Sequence, residues 1–168
     1  MINASLKYQL FDWLDVVGRV KIDNYDNRST YKAYASTGTL VSGDRGTYSD
    51  TSTQSKNTYA DAIATLNKSF NDWSVNVNLG VSLSDSRYEM IGYEGGLKLI
   101  NFFAVHNIDF NKAWKAKQSG WHDQTRAIFA NAEIGWKSMI YLTATGRNDW
   151  DSRLAFSDYK SFFYPSIG

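Results

Sequence analysis

Residues 73–84 have the sequence WSVNVNLGVSLS, in which apolar and small polar side chains alternate almost without interruption. Successive side chains of a β-strand point to opposite faces, so the pattern predicts a strand with one apolar and one polar face. The run from Trp73 to Leu83 matches the roughly 9–11 residues that a tilted strand needs to cross a bilayer, whereas globular strands average about 5–6. The stretch therefore favours a membrane-spanning strand.

Short turns join this strand and others like it into hairpins. Asn71-Asp72 is a turn signal between two alternating runs, and similar joints occur at 11–14 and at Lys137-Ser138. The predicted strands lie within 6–10, 16–22, 60–70, 73–83, 128–136 and 140–147, and Phe162–Ser166 is expected to open a seventh.

The connections on the other side are predicted to be long polar loops, from about Ser36 to Lys56 and from about Asp85 to Asp123. Short turns at one end and long loops at the other are typical of outer-membrane β-barrels. Three tryptophans, Trp13, Trp73 and Trp136, occur at the short-turn ends, where aromatic rings favour the membrane interface.

Composition supports an all-β chain and excludes several classes of protein. The 168 residues include 15% aromatic residues, one proline and no cysteine, and the formal net charge is +1. Disulfides and thiolate metal sites are excluded, and nothing indicates a nucleic acid partner. Met1–Leu6 lacks the features of a signal peptide, so an exported protein with this start is expected to have lost its front end.

No catalytic or cofactor site is predicted. The only histidines, His106 and His122, have no carboxylates at zinc-like spacing, and Ser119 near His122 lacks the further groups that nucleophilic catalysis requires. Asp44, Asp50 and Asp85 do not follow the EF-hand pattern of a calcium site. We therefore expect no enzyme, no metal site and no cofactor.

Candidate ligand contacts are aromatic residues of the predicted loops and one polar motif. Aromatic rings can stack on sugar faces, although the same residues also serve to pack loops together or to contact a partner. Arg147 and Asp149 share a parity and are expected to pair with charges on neighbouring strands in a polar lumen, while Trp150 anchors at the outer interface. The candidates are Tyr48, Tyr88, Tyr93, Trp114, Trp121, Arg147 and Asp149.

Several strings of residues resemble the barrel of SusC/RagA-type TonB-dependent importers of the Bacteroidetes. The resemblance is strongest over Gly95–Gly168. It rests on Asn101–Ile108 (NFFAVHNI), Gln118–Gln124 (QSGWHDQ), Ala127–Glu133 (AIFANAE), Gly135–Lys137 (GWK), Leu142-Thr143, Gly146–Asp151 (GRNDWD) and Phe162–Ser166 (FFYPS), in that order.

The resemblance implies that residues 1–168 are part of an antiparallel transmembrane β-barrel, about six to seven strands of roughly 22 around a plug domain that this chain lacks. It further implies import of oligosaccharides, glycans or peptides across the outer membrane, with a SusD-like surface lipoprotein and the TonB complex as partners. Two alternatives stay open at this point: a soluble carbohydrate-binding β-sandwich, and a plug-free porin or adhesin barrel.

Overall fold

The computed structural model describes residues 1–38 and 42–168 and confirms the all-β prediction. Its seven antiparallel strands form one open sheet, in which each strand lies beside its neighbour in the sequence. The elements are β1 Ile2–Phe11, β2 Leu14–Ala33, β3 Thr47–Phe70, β4 Trp73–Gly96, β5 Trp114–Trp136, β6 Ile140–Asp151 and β7 Phe162–Ile167, with 3-10 turns at Val105–Asn107 and Ser152–Leu154.

All three predicted short turns are present. Two residues separate β1 from β2 and two separate β3 from β4, while β5 and β6 are joined through residues 137–139. Asn71, Lys137 and Ser138 have positive φ angles of 53°, 51° and 56°. Such left-handed residues give hairpin turns the twist that matches their strands.

The prediction of two long unstructured loops is wrong in extent. β3 already begins at Thr47, β4 continues to Gly96 and β5 begins at Trp114. These strand segments carry polar residues on both faces, with a few apolar and aromatic residues among them, so they lack the regular hydrophobic alternation that marks a strand in sequence. Their threonine and tyrosine residues nonetheless favour extended backbone, and pairing with neighbours satisfies the backbone hydrogen bonds.

The described residues form two compact units. The first consists of Met1–Asp23, Asn57–Ser86 and His122–Gly168, and the second consists of Asn24–Lys56 and Arg87–Trp121. Residues of β2, β3, β4 and β5 occur in both units. No helix among the described residues is long and apolar enough to span a bilayer.

One face of the first unit, called the polar face below, carries a network of polar contacts between strands. Arg19 of β2 donates two hydrogen bonds to the buried Asp61 of β3, at 2.8 and 2.9 Å. Thr65 of β3 donates to Asn78 of β4 at 2.8 Å. The ring of Phe129 on β5 lies against Gly80 of β4 on this face.

The opposite face of the first unit, called the apolar face below, is exposed. Leu6 is 75% exposed, Leu79 55% and Leu142 57%. Ala127 is the only hydrophobic residue of the described first unit that is buried. No second sheet occurs among the described residues to cover this face, as a β-sandwich would require. The larger exposed side chains of the apolar face include Leu6, Tyr8, Leu10, Val20, Leu79, Val81, Ile128, Ile134, Ile140 and Leu142.

The second unit has a small hydrophobic core. Tyr48, Leu97 and Ile108 are buried together, and Phe103 and Tyr93 pack against them. Asn107 holds the connecting segment in place, since its amide group donates to the backbone oxygens of Leu99 and Phe102 at 2.9 and 2.7 Å. Hydrophobic burial in this protein is therefore concentrated in the second unit.

Candidate functional site

The structure places all seven candidate residues on strands. Five of them belong to the second unit, and the remaining two, Arg147 and Asp149, lie on β6 in the first. Tyr48 is on β3, Tyr88 and Tyr93 are on β4, and Trp114 and Trp121 are on β5.

Tyr88 and Trp121 form an aromatic platform in the second unit. Their rings are stacked with centroids 5.9 Å apart and planes inclined by 12°. Trp121 is half-exposed. Gly120 keeps the two backbones close, because an added Cβ would lie 3.0 Å from the backbone oxygen of Tyr88. A flat, rigid ring pair with an accessible surface suits stacking against a sugar or a planar side chain.

An ion pair lies on the same two strands as the platform. Lys117 of β5 donates to Glu94 of β4 at 2.9 Å, and both side chains are partly exposed. The ammonium group holds the pKa of the Glu94 carboxyl below its usual range, chiefly through this hydrogen bond. The second unit thus offers an aromatic surface and a charged pair for a polar ligand.

Tyr48 is buried and serves the core of the second unit. Its hydroxyl lies 3.4 Å from Asp50, whose two oxygens accept hydrogen bonds of 2.8 and 2.5 Å from Arg28. The hydrogen bonds from Arg28 are the main cause that lowers the pKa of Asp50, and burial is the main cause that raises the pKa of Tyr48. This triad links β2 to β3.

Tyr93 and Trp114 also contact neighbouring aromatic or apolar groups. Tyr93 packs against the core of the second unit. Trp114 meets Phe110 edge to face, with ring centroids 4.9 Å apart, and its side chain remains partly exposed. The structure therefore brings Tyr88 and Trp121 together and leaves Trp114 and Tyr93 at separate positions.

Arg147 and Asp149 pair with each other along β6 instead of with charges on neighbouring strands. Arg147 Nε lies 2.7 Å from Asp149 Oδ1, and the guanidinium lies 5.7 Å from the ring centroid of Phe129. The predicted cross-strand pairing is wrong, because the residues opposite Arg147 are Phe129 and Tyr164, neither of which carries a carboxylate.

The two histidines and the aspartates considered as calcium ligands contact different partners and do not form a common site. His106 meets the ring of Phe102, and His122 hydrogen-bonds Asp85 at 2.8 Å. Asp50 pairs with Arg28. Among residues 1–38 and 42–168, no three histidine, aspartate or glutamate side chains cluster closely enough to hold a metal ion.

A polar groove in the second unit was not foreseen from the sequence. Its volume is about 660 Å³, and its polar lining includes Ser52, Gln54, Glu89, Gln118 and Ser119. These residues lie in segments that the sequence assigned to loops. No pattern there marks a binding surface, because serine and glutamine on exposed strands are common.

Three solved structures share this fold over nearly the whole chain. The structure of the RagAB peptide transporter aligns with a TM-score of 0.88 over 98% of this chain at 15% identity. The fold is that of a segment of the RagA barrel. The open-open state of the RagAB importer gives a TM-score of 0.88 at 14% identity, and the closed-closed state gives 0.87 at 15%.

The chain spans 18% of the RagAB chains that it matches. The TM-scores show a RagA-like fold, and the matched proteins are transporters and not members of an enzyme family. No family model matches the chain, and no curated protein matches it by sequence.

Proposed function

We propose that this chain forms part of the barrel wall of a SusC/RagA-type TonB-dependent importer in the outer membrane of a Bacteroidetes-like bacterium. The observation that carries the proposal is the apolar face of the first unit, whose large side chains are exposed in a sheet with no core beneath them. Exposed apolar patches of this extent mark an interaction surface. A lipid bilayer is the partner that fits a continuous band of apolar residues on antiparallel strands.

Strand length supports a transmembrane role. β3 and β4 each contain 24 residues, and β5 contains 23. Crossing a bilayer takes about 9–11 residues at a tilt near 45°. We assign the crossing to the residues that adjoin the short turns, where Trp13, Trp73 and Trp136 stand at the membrane interface.

The sheet edges indicate a longer parent protein. β1 and β7 each have only one neighbouring strand in the described sheet. Unpaired backbone groups cost several kcal/mol each in hydrocarbon, so membrane sheets close into barrels. We infer that residues 1–168 belong to one barrel domain, completed by further strands to roughly 22 and filled by a plug.

The substrate proposed for the parent protein is an oligosaccharide, a glycan or a peptide. The matched structures are named as a peptide transporter and importer. By analogy with the RagAB complex, a SusD-like surface lipoprotein closes over the barrel, and the TonB complex acts through a region outside this chain. The aromatic platform of Tyr88 and Trp121 is the best placed candidate for substrate contact.

Uptake by the parent protein tests this function. Cells lacking its gene are supplied with defined peptide or oligosaccharide mixtures as the limiting nutrient, and affinity purification of the tagged parent is probed for a surface lipoprotein. We expect a growth defect on one mixture and a co-purified lipoprotein. Normal growth on both mixtures, with no lipoprotein partner, would overturn the import proposal.

Trp121→Ala in the parent protein is expected to weaken substrate binding by about 1 kcal/mol or more, roughly fivefold, because the stacking surface is lost. The measurement is the affinity of the purified parent for the imported substrate. Trp13→Ala is the matched control, since that indole is stacked on Phe11 beside a short turn. Equal losses in both variants would argue against a substrate platform.

A further inference from the structure

A groove on the apolar face of the first unit is lined by apolar, polar and charged side chains. Its volume is about 890 Å³. Its apolar lining includes Ala60, Ala62 and Val81, and its polar lining includes Gln124 and Arg126. A second depression of about 670 Å³ shares Ala62 and Val81 with the first, so the apolar trough continues along the sheet.

Arg126 lies at the expected outer boundary of the membrane. Arg126 precedes Trp136 at the short turn by ten positions, which is roughly 33 Å along a strand and about 23 Å along the membrane normal at a 45° tilt. The apolar band of a membrane barrel is about 25 Å tall. Arg126 is also the register partner of Trp150, a residue type that favours this boundary.

The guanidinium of Arg126 has a hydrogen-bond donor and a positive charge available for an anion. Its Nε and Nη2 atoms donate to Gln124 Oε1 at 3.1 and 2.8 Å. Across the described residues, no carboxylate lies within ion-pair distance of Arg126 and no acceptor is bonded to its Nη1 atom. The nearby Asp85 carboxylate accepts hydrogen bonds from His122 and Gln124.

The two carboxylates that line the groove are each paired with an arginine. Asp61 pairs with Arg19 on the polar face, and Asp151 pairs with Arg153. Arg126 is therefore the cation at the groove that is left without a counter-charge within residues 1–38 and 42–168. A cation beside an apolar trough is complementary to an amphiphile with a negative headgroup and a hydrocarbon chain.

We propose that this groove binds an outer-leaflet lipid whose headgroup carries a phosphate. An acyl chain lies along the trough over Ala60, Ala62 and Val81, and the phosphate oxygens accept hydrogen bonds from Arg126. The planar guanidinium matches phosphate geometry better than a point charge does. The inference rests on the proposed function, since it requires the apolar face to contact lipid.

Native mass spectrometry of the detergent-purified parent protein tests this site. The probes are dioleoyl phosphatidic acid and dioleoylglycerol, which share their chains and differ in the phosphate. Arg126→Gln is expected to lower the affinity for phosphatidic acid roughly tenfold, because a charge-assisted contact is lost, and to leave dioleoylglycerol unchanged. Ala62→Phe fills the trough and is expected to lower the affinity for both phosphatidic acid and dioleoylglycerol.

Lys21→Gln is the matched control, because Lys21 is an exposed cation on β2 opposite Asn3, on the polar face. It should leave both affinities unchanged. Equal binding of the two probes by the unmodified parent protein, no effect of Arg126→Gln, or an equal loss with Lys21→Gln would overturn the lipid site.

A spin label at Leu79 separates failure of this site from failure of the proposed function. In liposomes, high oxygen accessibility of the label shows that the apolar face contacts lipid. If the label is accessible to oxygen while Arg126→Gln binds phosphatidic acid normally, the lipid site is contradicted and the proposed barrel wall is supported. If the label is not accessible, both proposals are contradicted.

Discussion

At the scale of single residues, Gly80 and Phe129 show how the polar face is packed. Gly80 has no side chain, and the Phe129 ring occupies the space that a side chain there would fill. An added Cβ at Gly80 would overlap three atoms of that ring. The guanidinium of Arg147 in turn lies over Phe129. This aromatic cover compensates for the glycine in the strand and ties β4 to β5.

Gly80→Val is expected to destabilise the parent barrel by about 1–3 kcal/mol, because the ring has to leave its position. The measurement is urea unfolding of the purified parent in detergent. Gly18→Val is the matched control, since nothing lies within 4 Å of a Cβ built there. The double variant Gly80→Val, Phe129→Ala should relieve the overlap, and persistence of the full loss would contradict this packing.

Asp50 is expected to make the stability of the second unit depend on pH. Its pKa is lowered in the folded protein, chiefly by hydrogen bonds from Arg28. The stabilisation is therefore complete above the ordinary carboxyl pKa of about 4 and disappears as pH falls through the lower folded value. The unfolding temperature of the parent, measured between about pH 6 and pH 2, should therefore fall as the pH is lowered.

Asp50→Asn should flatten that acid dependence, because the titrating group is removed. Asp44→Asn is the control, since Asp44 forms no ion pair within the part of the chain that the structure describes. Identical pH profiles for the Asp50 variant and the unmodified parent would show that the Arg28 pair does not contribute.

At the scale of elements, the turns decide how the hairpins close. Lys137 and Ser138 both have positive φ, which costs a residue with a side chain roughly 1–2 kcal/mol. Neither residue type favours this conformation as glycine or asparagine does. The tight closure of β5 onto β6, with Trp136 opposite Ile140, holds the turn in this conformation.

Ser138→Gly is expected to stabilise the parent by up to about 1 kcal/mol, since glycine adopts positive φ without steric cost. Ser84→Gly, the same substitution within β4, should instead cost about 0.5–1 kcal/mol. Urea unfolding in detergent compares the two. A loss of stability at both positions would contradict the assigned turn.

The sequence predicted the strands correctly wherever apolar and polar side chains alternate regularly along the chain. The alternation at 73–84 located β4, and the turn signals at Asn71-Asp72 and Lys137-Ser138 located hairpin ends correctly. The extensions of β3 from Thr47 and of β4 to Gly96 were missed, because strands with polar residues on both faces have no period-two signal.

The candidate site was harder to predict for a related reason. Aromatic residue type alone does not distinguish the buried Tyr48 from the stacked pair of Tyr88 and Trp121. That difference depends on which residues of distant segments become neighbours. The register of β5 against β6 places Phe129 opposite Arg147. Because Phe129 carries no carboxylate, Arg147 pairs with Asp149 on its own strand.

At the scale of the whole molecule, two observations support the proposed place of this chain in the wall of a membrane barrel. The fold matches a segment of the RagA barrel over 98% of the chain. The first unit exposes its apolar side chains, and in its described part only Ala127 is a buried hydrophobic residue. Contact with hydrocarbon would stabilise such a surface, as the proposed function requires.

A spin-label scan along β4 tests the central claim most directly. Single nitroxides are placed at positions 75 to 82 of the parent protein in liposomes, and their collision rates with oxygen are measured. Oxygen accessibility should peak at Val75, Val77, Leu79 and Val81 and fall between them, because only the apolar face contacts lipid. A flat profile, or peaks at Asn76, Asn78 and Ser82, would contradict the account.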